Sequence, residues 1–293
     1  MRIVFIGTVE FSLSAIERLV ALNAEIVGVC TLKESTFNSD HVDLSSFSEA
    51  HGIPCLYVDD INATETMSWI HEKSPDVIFC FGWSRLIKQE LLELAPLGVV
   101  GFHPAALPAN RGRHPLIWAL VLGLKNTAST FFFMDAGADS GDILSQQEIT
   151  ISDQDDARTL YDKVIQTALR QIEEFLPQLA TGSFQRIKQN ARFANTWRKR
   201  ASTDGEIDWR MSAQSVYNLV RGLTEPYAGA HFLVDGNEIK VWKSTIDIDN
   251  RNNIEPGKVL LQSSAGIVVK CGVDAISLLV TEPVFKANVG SYL

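Results

Sequence analysis

The fold is decided by a continuous apolar run near the start of the chain, Ile3-Val4-Phe5-Ile6, which ends at Gly7. Two later runs have the same character, Ile26–Cys30 and Val77–Phe81. Between them, apolar residues recur at spacings of three and four, as on one face of a helix. Apolar strands that alternate with helices are typical of a parallel sheet covered on both faces. We therefore predict an α/β fold with a mostly parallel sheet.

The pattern changes in the last third of the chain. His231–Val234 and Glu238–Trp242 flank Asp235-Gly236, a dipeptide that favours a tight hairpin turn. Further short apolar runs follow up to Val280. We predict a Rossmann-like domain over residues 1–190, a linker over 191–208 and a small OB-like β-barrel domain over 209–293.

Basic residues are frequent in residues 182–208, a segment with the character of a connector. Two interpretations are open, namely a solvated linker or a patch that faces a phosphate-bearing substrate. The positions concerned are Arg186, Lys188, Arg192, Arg198, Lys199 and Arg200.

Composition limits the class of protein. The chain has 293 residues, of which 46% are hydrophobic, and 26 Lys and Arg stand against 35 Asp and Glu, for a net charge of −9. That content of apolar residues excludes a disordered or low-complexity chain. An acidic chain is a poor general binder of nucleic acid, because such binding depends on Lys and Arg displacing counterions.

The four cysteines give no sign of a metal site or a disulfide framework. They are scattered, without a CxxC pair or a Cys/His ligand spacing, at Cys30, Cys55, Cys80 and Cys271. The chain also lacks an apolar stretch of 18 residues and a signal-peptide pattern at its start. We expect a cytoplasmic protein with reduced thiols, no metal and no membrane span.

Two segments hold the residues that could carry chemistry. The first, Gly101–Pro115, contains His103 close behind an apolar strand, where open α/β sheets bind ligands. The second, Met134–Leu144, is a glycine-rich loop that contains Asp139. The turn after the first strand lacks the glycine pattern of dinucleotide-binding proteins, and no Walker A motif occurs.

Together the two segments resemble one family. His-x-x-x-Leu-Pro-x-x-x-Gly from residue 103 and Asp-x-Gly-x-Asp-x-Gly-Asp from residue 135 are similar to the motifs of the folate-dependent formyltransferases. The likeness extends to Thr159–Lys163, Gly205–Trp209 and Val241–Lys243. Within the family, which includes methionyl-tRNA formyltransferases, the chain most resembles sugar-nucleotide N-formyltransferases.

The resemblance implies that a formyl group passes from N10-formyltetrahydrofolate to an amine. The amine must lose a proton as it attacks, and a histidine such as His103 is suited to accept it near neutral pH. Asp139 matches the family carboxylate that orients this imidazole. The tetrahedral intermediate carries an oxyanion, which needs hydrogen-bond donors.

The chain departs from the family at one position. The family usually has Asn two residues before the histidine, and here Gly101 stands in its place. Loss of one oxyanion donor costs roughly 10²–10³ in rate. Asn110, His114 or a backbone N–H could substitute, which is the account we favour. The alternatives are that protonated His103 both transfers the proton and stabilises the oxyanion, or that the protein is slow or inactive.

The resemblance also implies a folate pocket after the fourth strand. Apolar and aromatic groups there would enclose the flat pterin, and the glycine-rich loop would bind its edge. The predicted cofactor contacts are Phe81, Gly82, Trp83, Leu86, Ile87, Asp135 and Ala138.

The acceptor is predicted from the loop after the second strand. Residues 31–44 hold one lysine against Glu34, Asp40 and Asp43, which disfavours contact with tRNA. The segment from Asn38 to Leu44 resembles sugar-nucleotide N-formyltransferases, so we expect a nucleotide-linked amino sugar, as in lipopolysaccharide O-antigen biosynthesis. Methionyl-tRNA formylation and a folate-binding homologue of reduced activity are the alternatives.

Further residues are assigned to the acceptor. Arg111 and Arg113 could hold a diphosphate, since guanidinium groups bind phosphate well. Tyr217 could stack on a base. A homodimer through the C-terminal β region is an additional hypothesis.

Overall fold

The computed structural model describes residues 1–35 and 39–293. The chain forms two compact units, each assembled from separate stretches. The first contains residues 1–112, 127–149 and 163–197, and the second contains 113–126, 150–162 and 198–293. Asn38, at the start of the predicted sugar-nucleotide motif, lies outside the described residues.

The helices and strands up to residue 150 are β1 (Arg2–Ile6), α1 (Glu10–Ala21), β2 (Glu25–Thr31), α2 (Ser45–Ala50), β3 (Cys55–Tyr57), α3 (Thr64–Glu72), β4 (Val77–Cys80), α4 (Gln89–Leu92), β5 (Val99–His103), β6 (Arg111–Gly112), α5 (Pro115–Val121), β7 (Asn126–Phe133) and β8 (Ile143–Thr150). Those that follow are α6 (Ala157–Thr181), β9 (Thr196–Trp197), α7 (Ala213–Leu223), β10 (Ala230–Val234), β11 (Asn237–Asp247), β12 (Val259–Ser263), β13 (Gly266–Lys270) and β14 (Ala275–Glu282).

A seven-stranded sheet in the order β3-β2-β1-β4-β5-β7-β8 dominates the first unit. β1 pairs in parallel with β2 and β4, and β4 pairs in parallel with β5. The pairing of β5 with β7 is antiparallel. This topology confirms the predicted α/β class with a mostly parallel sheet.

An aromatic cluster fills the interior of this unit. Phe5, Phe79, Phe81 and Phe131 are each fully buried. The ring of Phe81 lies 5.1 Å from that of Phe79 and 5.1 Å from that of Phe131. Rings at this separation gain attraction beyond the burial of their area. The cluster therefore packs β1, β4 and β7 against one another.

Ser12 explains why the first helix follows the first strand so closely. Its hydroxyl accepts hydrogen bonds from the N–H groups of Thr8 and Val9 at 3.0 and 3.1 Å and donates to the Phe81 carbonyl at 2.6 Å. A Cβ atom on Gly7 would lie 2.6 Å from both Ser12 Cβ and the Phe81 oxygen, so only glycine fits this turn. The residues of this turn are therefore in contact with Ser12 and Phe81 of the same unit.

The second unit contains a five-stranded antiparallel sheet in the order β10-β11-β14-β13-β12, as expected for the small barrel domain. Trp209, Val216, Phe232 and Val241 are among its buried core residues. The turn between β10 and β11 has Asp235 and Gly236 at φ values of +51° and +78°, as a primed hairpin turn requires.

Over the described ranges, 1–35 and 39–293, no helix has the length and apolar character needed to cross a membrane. The same residues contain no group of three His, Cys, Asp or Glu side chains arranged to hold a metal ion. Cys30, Cys55, Cys80 and Cys271 are all free thiols.

Candidate active site

His103 is the last residue of β5 and is 5% exposed. Its position follows from the pairing with β7, in which Gly101 faces Phe132 and His103 faces Thr130. The strand thus delivers the imidazole to the carboxyl end of the sheet, where open α/β folds bind ligands.

The two ring nitrogens of His103 face two different acceptors. Nε2 lies 2.8 Å from the carbonyl oxygen of Asn110, and Nδ1 lies 3.7 Å from Oδ2 of Asp139. Because a carbonyl only accepts, Nε2 carries a proton, and Nδ1 is the position that can gain or lose one. The structure therefore brings together the two residues that the sequence assigns to catalysis, in an arrangement suited to acid–base chemistry.

Asp139 is held in place from several directions. Its backbone is in the left-handed region, at φ +52°, and its Oδ2 accepts a hydrogen bond of 2.8 Å from the N–H of Gly112. Asp135 closes the same loop by accepting from the Gly137 N–H at 3.0 Å and the Ser140 hydroxyl at 2.7 Å. The carboxylate thus faces the imidazole from a fixed loop.

Gly101 has no side chain to contribute, and its space is filled. A Cβ atom there would lie 2.8 Å from Met134 Cγ and 3.2 Å from Phe132 Cζ. The site of the usual family asparagine is therefore occupied by a thioether side chain that offers no hydrogen-bond donor.

Asn110 and His114, the predicted substitute donors, belong to different units. The backbone of Asn110 is left-handed, at φ +64°, and its carbonyl contacts His103. Its half-buried side-chain amide makes no hydrogen bond within the described part of the chain. The amide is therefore available to a ligand.

His114 is a neutral group in the second unit. Burial, reinforced by the nearby charges of Arg113 and Arg200, lowers the pKa of its imidazole. Nδ1 lies 3.3 Å from the N–H of Arg200 and accepts from it, so Nε2 carries the remaining proton. The residue can donate one hydrogen bond from that nitrogen.

The predicted pterin contacts after β4 are not alike. Phe81 is fully buried in the aromatic cluster, and both its backbone groups are hydrogen-bonded, so we assign it to the core rather than to a ligand. Ile87 is buried in the neighbouring apolar cluster, whereas Leu86 is 74% exposed. Gly82 has φ +71°, and a Cβ there would meet Val9 Cγ2 at 2.2 Å.

Trp83 carries the clearest sign of a missing partner among these residues. Its indole N–H is buried and has no hydrogen-bond acceptor among the described residues. A buried donor left unpaired costs about 1–3 kcal/mol, so this atom is where an acceptor on a ligand would gain most.

A cavity of about 210 Å³ lies beside the glycine-rich loop. Met134, Asp135, Val99 and Arg186 contribute to its lining. Of the predicted pterin contacts, Asp135 lines this cavity, whereas Ala138 is exposed on the loop outside it.

Two of the predicted acceptor contacts, Arg111 and Tyr217, already form hydrogen bonds within the protein. The guanidinium of Arg111 donates to Oε1 of Gln189 from Nε at 3.2 Å and from Nη2 at 2.6 Å. Arg113 and Tyr217 belong to the second unit, where the Tyr217 hydroxyl donates to the carbonyl of Asp153 at 3.0 Å. Arg111 is therefore a structural partner of Gln189 as well as a candidate ligand group.

Two residues that sequence reasoning missed, Gln189 and Asn195, contact the site directly. Gln189 donates to the carbonyls of Asp139 and Gly141, and Asn195 Oδ1 accepts from the N–H of Asn110. Both lie in a polar stretch without periodicity, which has the sequence character of a solvated linker. No local signal distinguishes them from exposed amides.

A cationic cluster surrounds Trp118 in the second unit. Arg198 and Arg200 lie 5.3 and 4.8 Å from the indole centroid, and the indole N–H donates to the Arg198 carbonyl at 3.0 Å. Asp204 pairs with Arg198, and those hydrogen bonds hold the pKa of its carboxyl well below the usual range. Lys199 adds a further positive charge beside them.

Comparison with known proteins gives two family matches. Residues 1–175 match the family model described as "Formyl transferase", and residues 200–288 match "Formyl transferase, C-terminal domain". A methionyl-tRNA formyltransferase of Acetivibrio thermocellus is 34% identical over 280 residues, which is 94% of this chain and 90% of that protein. One from Geobacter metallireducens is 30% identical over 95% of this chain and 89% of its own.

Solved structures share the fold. A sugar 3N-formyl transferase, crystallised in the presence of dTDP and 5-N-formyl-THF, aligns with a TM-score of 0.71 at 17% identity over 95% of this chain and 97% of its own. The methionyl-tRNA formyltransferase of Clostridium thermocellum aligns with a TM-score of 0.62 at 18% identity, over 94% of this chain and 99% of its own.

Proposed function

The chain belongs to the formyl transferase family, which uses formyl-tetrahydrofolate, and we propose that it formylates the amine of methionyl-tRNA. The observation that carries the reaction is the pair formed by His103 and Asp139, 3.7 Å apart at the carboxyl end of β5. The observation that carries the acceptor is 34% identity to a methionyl-tRNA formyltransferase over 94% of this chain.

In the reaction, the acceptor amine attacks the formyl carbon and a C–N bond forms. The amine proton passes to His103, while the tetrahydrofolate nitrogen leaves with the electron pair of the broken C–N bond and is protonated in turn. A proton on Nδ1 places positive charge 3.7 Å from the Asp139 carboxylate, so the two attract each other. Proton transfer by a positioned side chain contributes typically about 10²–10⁴ in rate.

The oxyanion of the intermediate needs a donor other than residue 101. Asn110 is our candidate, because its side-chain amide is unbonded within the described residues and its carbonyl already holds His103. Met134 fills the space beside Gly101 and supplies no donor. In this proposal the amide of Asn110 has taken over the role of the usual family asparagine.

Trp83 supports a pterin site on the loop after β4. Its unpaired indole N–H would meet an acceptor on the heterocycle, and its ring offers a flat apolar surface. Asp135 keeps the glycine-rich loop closed, so the backbone groups of that loop are fixed for a ligand edge.

A polyanionic acceptor is consistent with the second unit. The cluster around Trp118 is positively charged, because it contains three cationic residues, Arg198, Lys199 and Arg200, and one carboxylate, Asp204. Phosphate groups are attracted to such a surface.

A nucleotide-linked amino sugar is the second candidate. It is favoured by the acidic loop that contains Glu34, Asp40 and Asp43 and by the net charge of −9, because both would repel tRNA. A small diphosphate carries far fewer charges and is repelled less.

One experiment separates the candidates. The protein is incubated with N10-formyltetrahydrofolate and either methionyl-tRNA or a panel of dTDP-, UDP-, GDP- and CMP-linked amino sugars, and formylated product is measured by mass. We expect product from methionyl-tRNA, with apparent affinity that falls steeply with salt. Product from a sugar alone transfers the assignment to the second candidate.

Two variants control for the site. His103→Gln and Asp139→Asn should each lower the rate by about 10²–10⁴. If both retain the wild-type rate on the identified acceptor, the proposed mechanism is wrong even though a formyltransferase has been identified.

A further inference from the structure

We propose that Gln189 is a positioning residue, which fixes the Asp139 carboxylate against His103 from a segment outside the two motif loops. The inference rests on the proposed function, since it assigns Gln189 a part in the same site. It concerns a stretch, residues 189–197, that by sequence has the character of a solvated connector.

Gln189 uses its whole amide at the site. Nε2 donates to the carbonyl of Asp139 at 2.8 Å and to the carbonyl of Gly141 at 2.7 Å. Oε1 accepts both hydrogen bonds from Arg111. The side chain is half-buried, although its neighbours Lys188 and Asn190 are exposed. Its partial burial and four hydrogen bonds distinguish Gln189 from the exposed residues on either side of it.

These contacts fix the residue that carries the carboxylate. Asp139 has a left-handed backbone, a region that is uncommon in proteins although aspartate enters it more often than most residues. Gln189 binds the carbonyl of that residue and the one two positions later, so it clamps the turn itself. The carboxylate then reaches both the Gly112 N–H and the imidazole.

The same segment also supports the imidazole. Asn195 Oδ1 accepts from the N–H of Asn110 at 2.8 Å, and the carbonyl of Asn110 accepts from His103 Nε2. Strand β9 then pairs in parallel with β6, so that Arg111 faces Thr196. The connector therefore reaches both members of the pair, and Gln189 is its contact with the acidic one.

The chemistry of the amide makes the proposal specific. Gln189→Glu keeps the shape and strengthens the contact with Arg111, yet it removes both donors and sets a carboxylate against two carbonyl oxygens. Gln189→Ala removes the clamp altogether. A role limited to binding Arg111 would tolerate Glu, whereas a role in holding Asp139 would not.

The test compares Gln189→Ala and Gln189→Glu with Gln185→Ala, a matched control in the same connector. Gln185 is exposed and makes no hydrogen bond within the described part of the chain. A misplacement of about 1 Å in a catalytic group costs about 10²-fold. We expect kcat to fall about 10- to 100-fold in both Gln189 variants, with the control at the wild-type rate.

A double-mutant cycle with Asp139→Ala tests whether Gln189 affects kcat through Asp139. If Gln189 acts through Asp139, Gln189→Ala adds almost nothing to the loss already caused by Asp139→Ala. Losses that multiply, or a Gln189→Glu enzyme with wild-type kcat, would overturn the proposal.

A second readout needs no substrate. The imidazole resonances of His103 are recorded by NMR in the wild type, Gln189→Ala and Gln185→Ala, with His103→Gln to assign them. We expect these resonances to shift in Gln189→Ala, because the carboxylate beside the ring is displaced, and to stay in place in Gln185→Ala. Unchanged resonances in both variants would contradict the proposal, whereas absent formyl transfer in the wild type would contradict only the proposed function.

Discussion

The side chain of Met134 occupies the space beside Gly101, with its Cγ 2.8 Å and its Sδ 3.0 Å from where a Cβ atom at residue 101 would lie. The backbone of Met134 is fixed, because its N–H donates to the Val99 carbonyl at 2.7 Å, and Phe132 Cζ lies 3.2 Å from the same Cβ position. The absence of a side chain at residue 101 and the position of Met134 are therefore linked, because the methionine fills the space that the usual family asparagine would need. It puts an apolar contact close to His103, at a position where the family usually has a polar side chain.

Gly101→Asn should therefore fail to restore a faster enzyme. Forcing a side chain into a packed position costs typically about 1–3 kcal/mol, and we expect a loss of that size in urea-induced unfolding, without a gain in kcat. Gly101→Asn combined with Met134→Ala should recover much of the lost stability. A stable single variant that is a hundredfold faster would show that the missing donor is not replaced.

Asn110→Ala should lower kcat by about 10²–10³ if its amide binds the oxyanion. The KM for the folate donor should change little, because the interaction forms as the intermediate develops. His114→Ala serves as the comparison, since that neutral imidazole is the other predicted donor. If Asn110→Ala keeps the wild-type kcat and His114→Ala is slow, the donor to the oxyanion is His114 and not Asn110.

Trp83→Phe should weaken folate binding while leaving the fold intact. The substitution removes an indole N–H that is buried without an acceptor among the described residues, so stability should stay equal or rise. Donor affinity is measured by fluorescence or calorimetry with tetrahydrofolate.

Phe81→Ala is the matched control for a core aromatic. It should cost about 3–5 kcal/mol of stability, as truncation of a buried phenylalanine does. Unchanged folate affinity in Trp83→Phe would contradict the assignment of its N–H to the ligand.

Asp204→Asn should lower the thermal midpoint of the second unit by an amount that depends on pH. The pKa of Asp204 is held below its ordinary value of 3.8, chiefly by hydrogen bonds from Arg198 and then from the Ala201 N–H. A depressed pKa contributes stability that is complete above about pH 4 and is lost as the pH falls below that.

The difference between wild type and Asp204→Asn should therefore be constant near neutral pH and shrink in acid. Asp162→Asn is the control, because Asp162 forms an exposed, loose pair with Arg158 at 3.9 Å. A difference that grows as the pH falls would show that the pair with Arg198 does not stabilise the native state.

Much of the fold follows from local pattern. Continuous apolar runs such as Ile3–Ile6 are typical of strands in a sheet covered on both faces, and Asp235-Gly236 strongly favours a hairpin turn. The antiparallel pairing of β7 with β5 was not predicted, because a buried antiparallel strand in a mixed sheet is as apolar as its parallel neighbours.

The sequence by itself determined which chemical groups this protein can use: one histidine and one aspartate in recognisable loops, and a glycine where the family carries an amide donor. Only the tertiary structure decided that Met134 fills that gap, that Phe81 belongs to the core and that Gln189 and Asn195 reach the site. Those contacts join residues far apart in the chain, and the hydrogen bonds of a side-chain amide depend on which groups folding places within about 3 Å of it.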